Sequence, residues 1–282
     1  MTPIALDAAD LIPAEALEPA LVASSLSPGG QALARGLIRL GHSASFGGGG
    51  IGIEYGALLK AAARPEYLRA HVREAAVHLR ERRVDLLLVP GLSGHPIGAM
   101  YAIVSGIPAV LLKKEYVSPG MAAGDHPHGA FLIPSYTGEG DVRISADTPA
   151  LQDIVDTVLR AQLDAQRGAA HLSFSLRMAG ADDIIDKATM SQAVSERALT
   201  MGAATMRDFL ARHRQDTGDD RPATETIEVV AWVTPLMKGY NRPQDHLQRL
   251  FGITPFAGLT VSSVHLDPQA IGIEGLGIVR FP

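Results

Sequence analysis

Residues 84–114 read VDLLLVPGLSGHPIGAMYAIVSGIPAVLLKK, and this stretch decides the fold. Leu86–Val89 is apolar on both faces, as a strand inside a parallel sheet must be. Pro90–Pro96 (PGLSGHP) is a tight turn whose backbone N–H groups are free to face an anion. Ile97–Ser105 continues with helical spacing, so a helix begins at the turn. Its N-terminus offers unpaired donors and partial positive charge. Gly106-Ile107-Pro108 stops that helix, and Ala109–Leu112 is the next strand, ending on Lys113 and Lys114. Units of this kind bind ligands at the carboxyl ends of their strands.

Working outward, Leu68, Val72, Ala75 and Leu79 share one helical face. Pro65 opens that helix, and Arg80, Arg82 and Arg83 complement its C-terminal dipole. Upstream lies the glycine tract Phe46–Gly52 (FGGGGIG), an ordered turn or joint or, less simply, a phosphate cradle. A helix is expected over Leu33–Leu40 within an N-terminal extension, residues 1–45. Downstream, Glu115–Gly129 reads as a long exposed loop carrying His126 and His128. Phe131–Tyr136 and Val142–Ser145 form a strand pair around the hairpin signal TGEGD.

Helices are expected over Pro149–Gln166, capped by Thr148, and over Ala181–His213, with a break near 168–180. Residues 147–223 therefore read as a helical insertion and linker, a lid or a dimerisation arm. Asp182-Asp183 reads as a helix opening and Asp219-Asp220 as part of the linker, both structural. A second strand–loop–helix–strand unit follows: Ile227–Val233, Thr234–Arg242, Pro243–Phe251 and Leu259–His265.

The chain has 282 residues, 46% hydrophobic and 20% charged, enough for a packed core. A net charge of −5 argues against broad binding to nucleic acid or a membrane surface. Cysteine is absent, which excludes disulfides, thiolate metal sites and a cysteine nucleophile. No apolar run is long enough to span a bilayer. Asp7, Asp10 and Glu15 interrupt any signal-peptide pattern, so a soluble cytoplasmic protein is expected.

Asp85–Lys114 resembles, without a gap, the core of type I phosphoribosyltransferases, most closely the adenine branch. Ile53–Leu79 resembles the segment that precedes this loop in the family. The resemblance implies an α/β fold, an open, mainly parallel sheet flanked by helices with the helical insertion added. The core would span 46–146 and 224–282. It implies a pyrophosphate site at Gly91, Leu92, Ser93 and Gly94 with Lys113 and Lys114, and His95 in contact with the ligand. Tyr55 would border the acceptor base. His126 and His128 would serve acid–base chemistry when their loop closes, rather than bind a metal.

Residues 230–252 (VVAWVTPLMKGYNRPQDHLQRLFG) resemble in length and order the family's signature for phosphoribosyl pyrophosphate. There the family has two adjacent carboxylates that hold the ribose hydroxyls, followed by a small, hydroxylated loop that cradles the 5′-phosphate. This chain has Trp232 and Val233 at the acid positions, so Trp232 would stack on a ring instead. Lys238, Gly239, Tyr240 and Asn241 would take the phosphate. Magnesium is implied by the resemblance alone.

The leading expectation is a phosphoribosyltransferase-like enzyme, a glycosyltransferase of nucleotide metabolism. It would act on a nucleobase, nucleotide or related sugar phosphate, with its ribose-binding acids replaced, and would form a homodimer. The alternative is a non-catalytic, regulatory protein of the same fold that binds a nucleotide or sugar phosphate. The plainer readings stay beside these: Gly91–Gly94 as an ordinary turn, and Lys113 and Lys114 as solvated charges.

Overall fold

The computed structural model describes residues 11–46, 50–60, 64–117, 131–134 and 141–282. His126 and His128 lie outside the described residues. In chain order the elements are β1 (Leu11–Ile12), α1 (Leu17–Ala23), α2 (Pro28–Leu40), β2 (His42–Phe46), β3 (Gly50–Glu54), α3 (Gly56–Leu59), α4 (Arg69–Glu81), β4 (Leu86–Pro90), α5 (Gly91–Ser105) and β5 (Ala109–Val117). There follow β6 (Phe131–Pro134), β7 (Asp141–Ser145), α6 (Thr148–Ala165), β8 (Leu172–Ala181), β9 (Ile184–Ile185), α7 (Thr189–Thr217), β10 (Ala223–Lys238), α8 (Pro243–Phe251), β11 (Phe256–Leu266), β12 (Gln269–Ile273) and β13 (Gly277–Arg280).

One mixed sheet runs β1-β13-β12-β11-β10-β8-β4-β5-β7-β6, with β9 added beside β10. Its middle, β11-β10-β8-β4-β5, is parallel throughout. The hairpin β2-β3 forms a separate two-stranded sheet. The fold is α/β, a mostly parallel sheet flanked by helices. Strand β4 shows why both faces are covered. Leu87 and Val89 enter a core with Leu33, Leu37, Val72, Leu79 and Ile97 from α2, α4 and α5. Leu86 and Leu88 enter a second core with Val155, Val194, Phe209 and Leu247 from α6, α7 and α8. Side chains alternate across a strand, so a strand between two helical layers must be apolar at every position.

Three expectations are corrected here. Residues 147–223 are helical only on either side of a strand, and that strand, β8, sits between β4 and β10 at the centre of the sheet. Alternation in Leu172, Phe174, Leu176 and Met178, all buried, against the more exposed Ser173, Ser175 and Arg177 makes this a strand. The expected helix over Ala181–His213 consequently starts at Thr189. Second, Thr234–Met237 is not a loop: β10 runs on to Lys238, held by β9 and β11. Third, α6 is capped by Asp147, which accepts from Ala150 N at 3.1 Å, rather than by Thr148. Helix α5 starts at Gly91, so the expected glycine turn is the first turn of the helix itself. The helix ends as the sequence indicates, with Gly106 in the left-handed region at φ +75°.

Candidate functional site

Parallel pairing puts the carboxyl ends of β4, β5, β8 and β10 at one end of the sheet, and three of them converge. Gly94, in the first turn of α5, packs so closely on the end of β8 that an added Cβ would stand 2.7 Å from Asp182 Oδ1. Gly91, at φ +73°, lies under the stem of Lys114, whose Cδ would be 3.4 Å from such a Cβ. The charge on Lys114 acts on Asp182. The first turn of α5, Lys114 of β5 and the acids after β8 are thus neighbours.

The two acids follow β8 directly. Asp182 N–H donates to Val233 O at 3.2 Å, and Asp183 N–H to Asp182 Oδ1 at 2.9 Å. Asp183 is 2% exposed, and its Oδ2 has no hydrogen-bond partner among the described residues. Burial pushes the Asp182 carboxyl well above the usual carboxylate range. The charge on Asp183 pushes the same way, and Lys114 acts against both. The pair therefore titrates as a unit that holds a proton more readily than isolated acids do. Tyr55, at the start of α3, places its hydroxyl against Asp183; burial, then the acid's charge, raises the phenol far above its ordinary value.

Beyond the acids, α7 begins after Ala188, which adopts φ +62° and caps the helix with no side-chain hydrogen bond. The first N–H groups of a 29-residue helix thus point to the same end of the sheet. Asp186, in the turn before it, receives Lys238 Nζ at 2.8 Å and also Asn241 Nδ2.

The structure sorts the expected site residues. Gly91, Gly94, Lys114 and Tyr55 surround the acids. Leu92 is 75% exposed and brings only its backbone to the turn, beside half-buried Ser93. His95 Nε2 meets Leu112 O at 2.9 Å, tying α5 to β5. Lys113 is exposed and, by strand alternation, faces away from Lys114. Lys238 and Asn241 brace Asp186. Gly239 is buried, with Thr260 Cγ2 2.5 Å from where a Cβ would sit, and Tyr240 is 39% exposed.

Trp232 is the main correction. It is fully buried, donates Nε1–H to Ser195 Oγ at 2.9 Å, and lies on Gly180, where a Cβ would come within 2.3 Å of the ring. It cannot stack on a ligand. Val233 is buried on the opposite face of β10. The acids expected at this pair of positions stand one strand away, at Asp182 and Asp183. The alternation over 172–178, followed by two acids, a short turn and a long helix, was the available signal.

No family model matches the chain, and no curated protein matches it by sequence. Solved structures do match. Adenine phosphoribosyltransferase from Giardia lamblia, complexed with 9-deazaadenine, aligns over 80% of this chain and 96% of its own, at 14% identity and a TM-score of 0.50. The Saccharomyces cerevisiae enzyme, complexed with adenine and an imino-altritol bisphosphate, aligns over 82% and 98% at 13% identity and a TM-score of 0.49. The Trypanosoma brucei enzyme, in complex with AMP, pyrophosphate and ribose 5-phosphate, aligns over 83% and 81% at 13% identity and a TM-score of 0.47. The chain has the type I phosphoribosyltransferase fold.

Proposed function

We propose that this protein transfers a phosphoribosyl group to or from a nucleobase or a related acceptor. The observation that carries the reading is the juxtaposition at the end of the sheet: two adjacent buried carboxylates, a helix N-terminus and a lysine within one small volume. A vicinal sugar diol needs charged acceptors, and Asp182 and Asp183 supply them. A leaving diphosphate needs convergent donors, and the first turn of α5 with Lys114 supplies those. The turn 184–188 and the start of α7 suit a 5′-phosphate. In the reaction the anomeric C–O bond to diphosphate breaks as a bond to the acceptor nitrogen forms. The protein's work is to orient both partners and to stabilise the departing charge. Tyr55 borders the side from which the acceptor enters.

Among the described residues no three His, Asp or Glu side chains gather to hold a metal ion. Magnesium in this reading arrives on the substrate's phosphates, and no step is assigned to it. The regulatory alternative rested on missing acids, and the pair at 182–183 removes that support. A homodimer belongs to the same proposal, with the exposed Leu92, Ile103 and Leu111 on the α5–β5 side as its apolar surface. No described helix is long and apolar enough to cross a membrane.

The test is ligand-dependent melting followed by turnover. Phosphoribosyl pyrophosphate with magnesium, and ribose 5-phosphate, should raise Tm, because a ligand bound only by the native state must stabilise it. Asp183→Asn should abolish that rise. Incubation with nucleobases should then release pyrophosphate. If neither sugar phosphate shifts Tm at millimolar concentration, the proposal fails.

A further inference from the structure

Behind the acid pair lies a second polar couple that the proposed chemistry leaves unused. His71 of α4 and Tyr101 of α5 are both fully buried. Tyr101 Oη stands 2.7 Å from His71 Nε2, with the rings edge to face at 5.7 Å. The imidazole stacks on Phe256 at 5.8 Å, and Gly258 packs against its other nitrogen. That nitrogen, Nδ1, has no hydrogen-bond partner among the described residues.

The orphan nitrogen identifies the tautomer. If Nδ1 carried the proton, a buried N–H would go unpaired, and Tyr101 would spend its only proton on Nε2. If Nε2 carries it, the orphan is a lone pair and Tyr101 receives a hydrogen bond. Buried unpaired donors are rarer than under-satisfied acceptors. The second arrangement is favoured, and it leaves the tyrosine proton available for another acceptor.

Helix α5 indicates which acceptor. Gly94, Gly98 and Tyr101 are buried and share one face, at i, i+4 and i+7. Long helical side chains lean back toward the helix N-terminus, here toward Gly94 and the Asp182 packed on it. Asp182 and Asp183 are the two charges that, after burial, hold the Tyr101 phenol well above its ordinary range.

We infer that Tyr101, fixed by the Nε2–H tautomer of His71, directs its hydroxyl at the Asp182–Asp183 pair and favours the ionised state of that pair. It is a positioning residue: it acts on the carboxylates and touches no substrate. The functional consequence rests on the reading above. The other groups facing the pair are Lys114 from β5, which also favours ionisation, and Tyr55 from the start of α3. A carboxylate accepts a sugar hydroxyl best when ionised. Affinity for a sugar phosphate therefore rises with pH through the pair's titration, and Tyr101 lowers the pH at which it does so.

Two measurements on the ligand-free protein test this. Nitrogen-15 NMR of wild-type His71 should show Nε2 protonated and Nδ1 bare; the reverse tautomer overturns the inference. Carbon-13 NMR of labelled aspartates should show the pair's titration moving up by roughly one pH unit in Tyr101→Phe; an unmoved titration overturns it. Should that variant not fold, the wild-type tautomer decides. The pH profile of ribose 5-phosphate binding should move in the same direction. If the carboxyl titration moves but no sugar phosphate binds at any pH, the enzyme reading falls and the role of Tyr101 stands.

Discussion

Gly94→Ala tests the site at its tightest point. The new methyl carbon would stand 2.7 Å from Asp182 Oδ1 and 3.4 Å from Asp182 Cα, where ordinary contact begins at 3.4 Å. Relief requires about 0.7 Å of movement (3.4 minus 2.7) by the carboxylate or by the helix. The carboxylate has little freedom, since its Oδ1 already accepts from Asp183 N–H. Overpacking of this kind costs about 1–3 kcal/mol, which is roughly 2–10 °C in Tm for a chain of this size. The functional loss should be larger than the stability loss implies. Displacing a binding group by ~1 Å costs on the order of 100-fold in rate. Gly106→Ala is the control, at the other end of the same helix. It has φ +75° and nothing within 4 Å of its Cβ, so only backbone strain of about 1–2 kcal/mol results. Calorimetry for Tm and isothermal titration with ribose 5-phosphate separate the two. Gly94→Ala should lose at least tenfold in affinity where Gly106→Ala loses none, at similar Tm. Equal affinity in both variants would refute the claim that α5 and Asp182 form one site.

Other perturbations read different parts of the argument. Trp232→Phe removes the hydrogen bond to Ser195 and loosens the packing on Gly180; urea denaturation should show a loss of about 1–3 kcal/mol, with sugar-phosphate affinity unchanged. Burial lowers the pKa of His71 from 6.5 to about 3, so the unfolded chain takes up a proton there that the folded chain refuses. The neutral ring is at no disadvantage above pH 6.5. As pH falls from 6.5 to 3, stability should drop by up to about 5 kcal/mol, and His71→Gln should flatten that limb of the urea-derived stability profile. Lys238 and Asp186 are 12% and 16% exposed, so Lys238→Met strands an acid and should cost about 3 kcal/mol. Adding Asp186→Asn should return much of that loss in the same denaturation assay.

The strand–helix–strand unit at 84–114 was legible because everything that specifies it is local. Leu86–Val89 is apolar throughout, Gly91 and Gly106 both adopt positive φ, and the intervening spacing is helical. Helix α8 was legible for the same reason, from Pro243 to its stop at Gly252. The nucleotide-binding reading of Gly91, Gly94 and Lys114 also came from local sequence. The acid pair did not. The chain contains two strand–turn–helix–strand units after residue 147, one on β8 and one on β10, and linear order gives them equal claim to the second half of the site.

What the sequence alone determined is the α/β class and one wall of the crevice, because propensity, periodicity and turn residues act over a few neighbours. What only the tertiary structure decided is which strand faces that wall. Pairing between β4 and β8 joins residues some ninety positions apart, Leu86 with Met178 and Leu88 with Gly180. That pairing sets Asp182 on Gly94, and the same stacking turns Trp232 inward. Neighbours in a parallel sheet are chosen by long-range burial and hydrogen bonding, which no short window of sequence records.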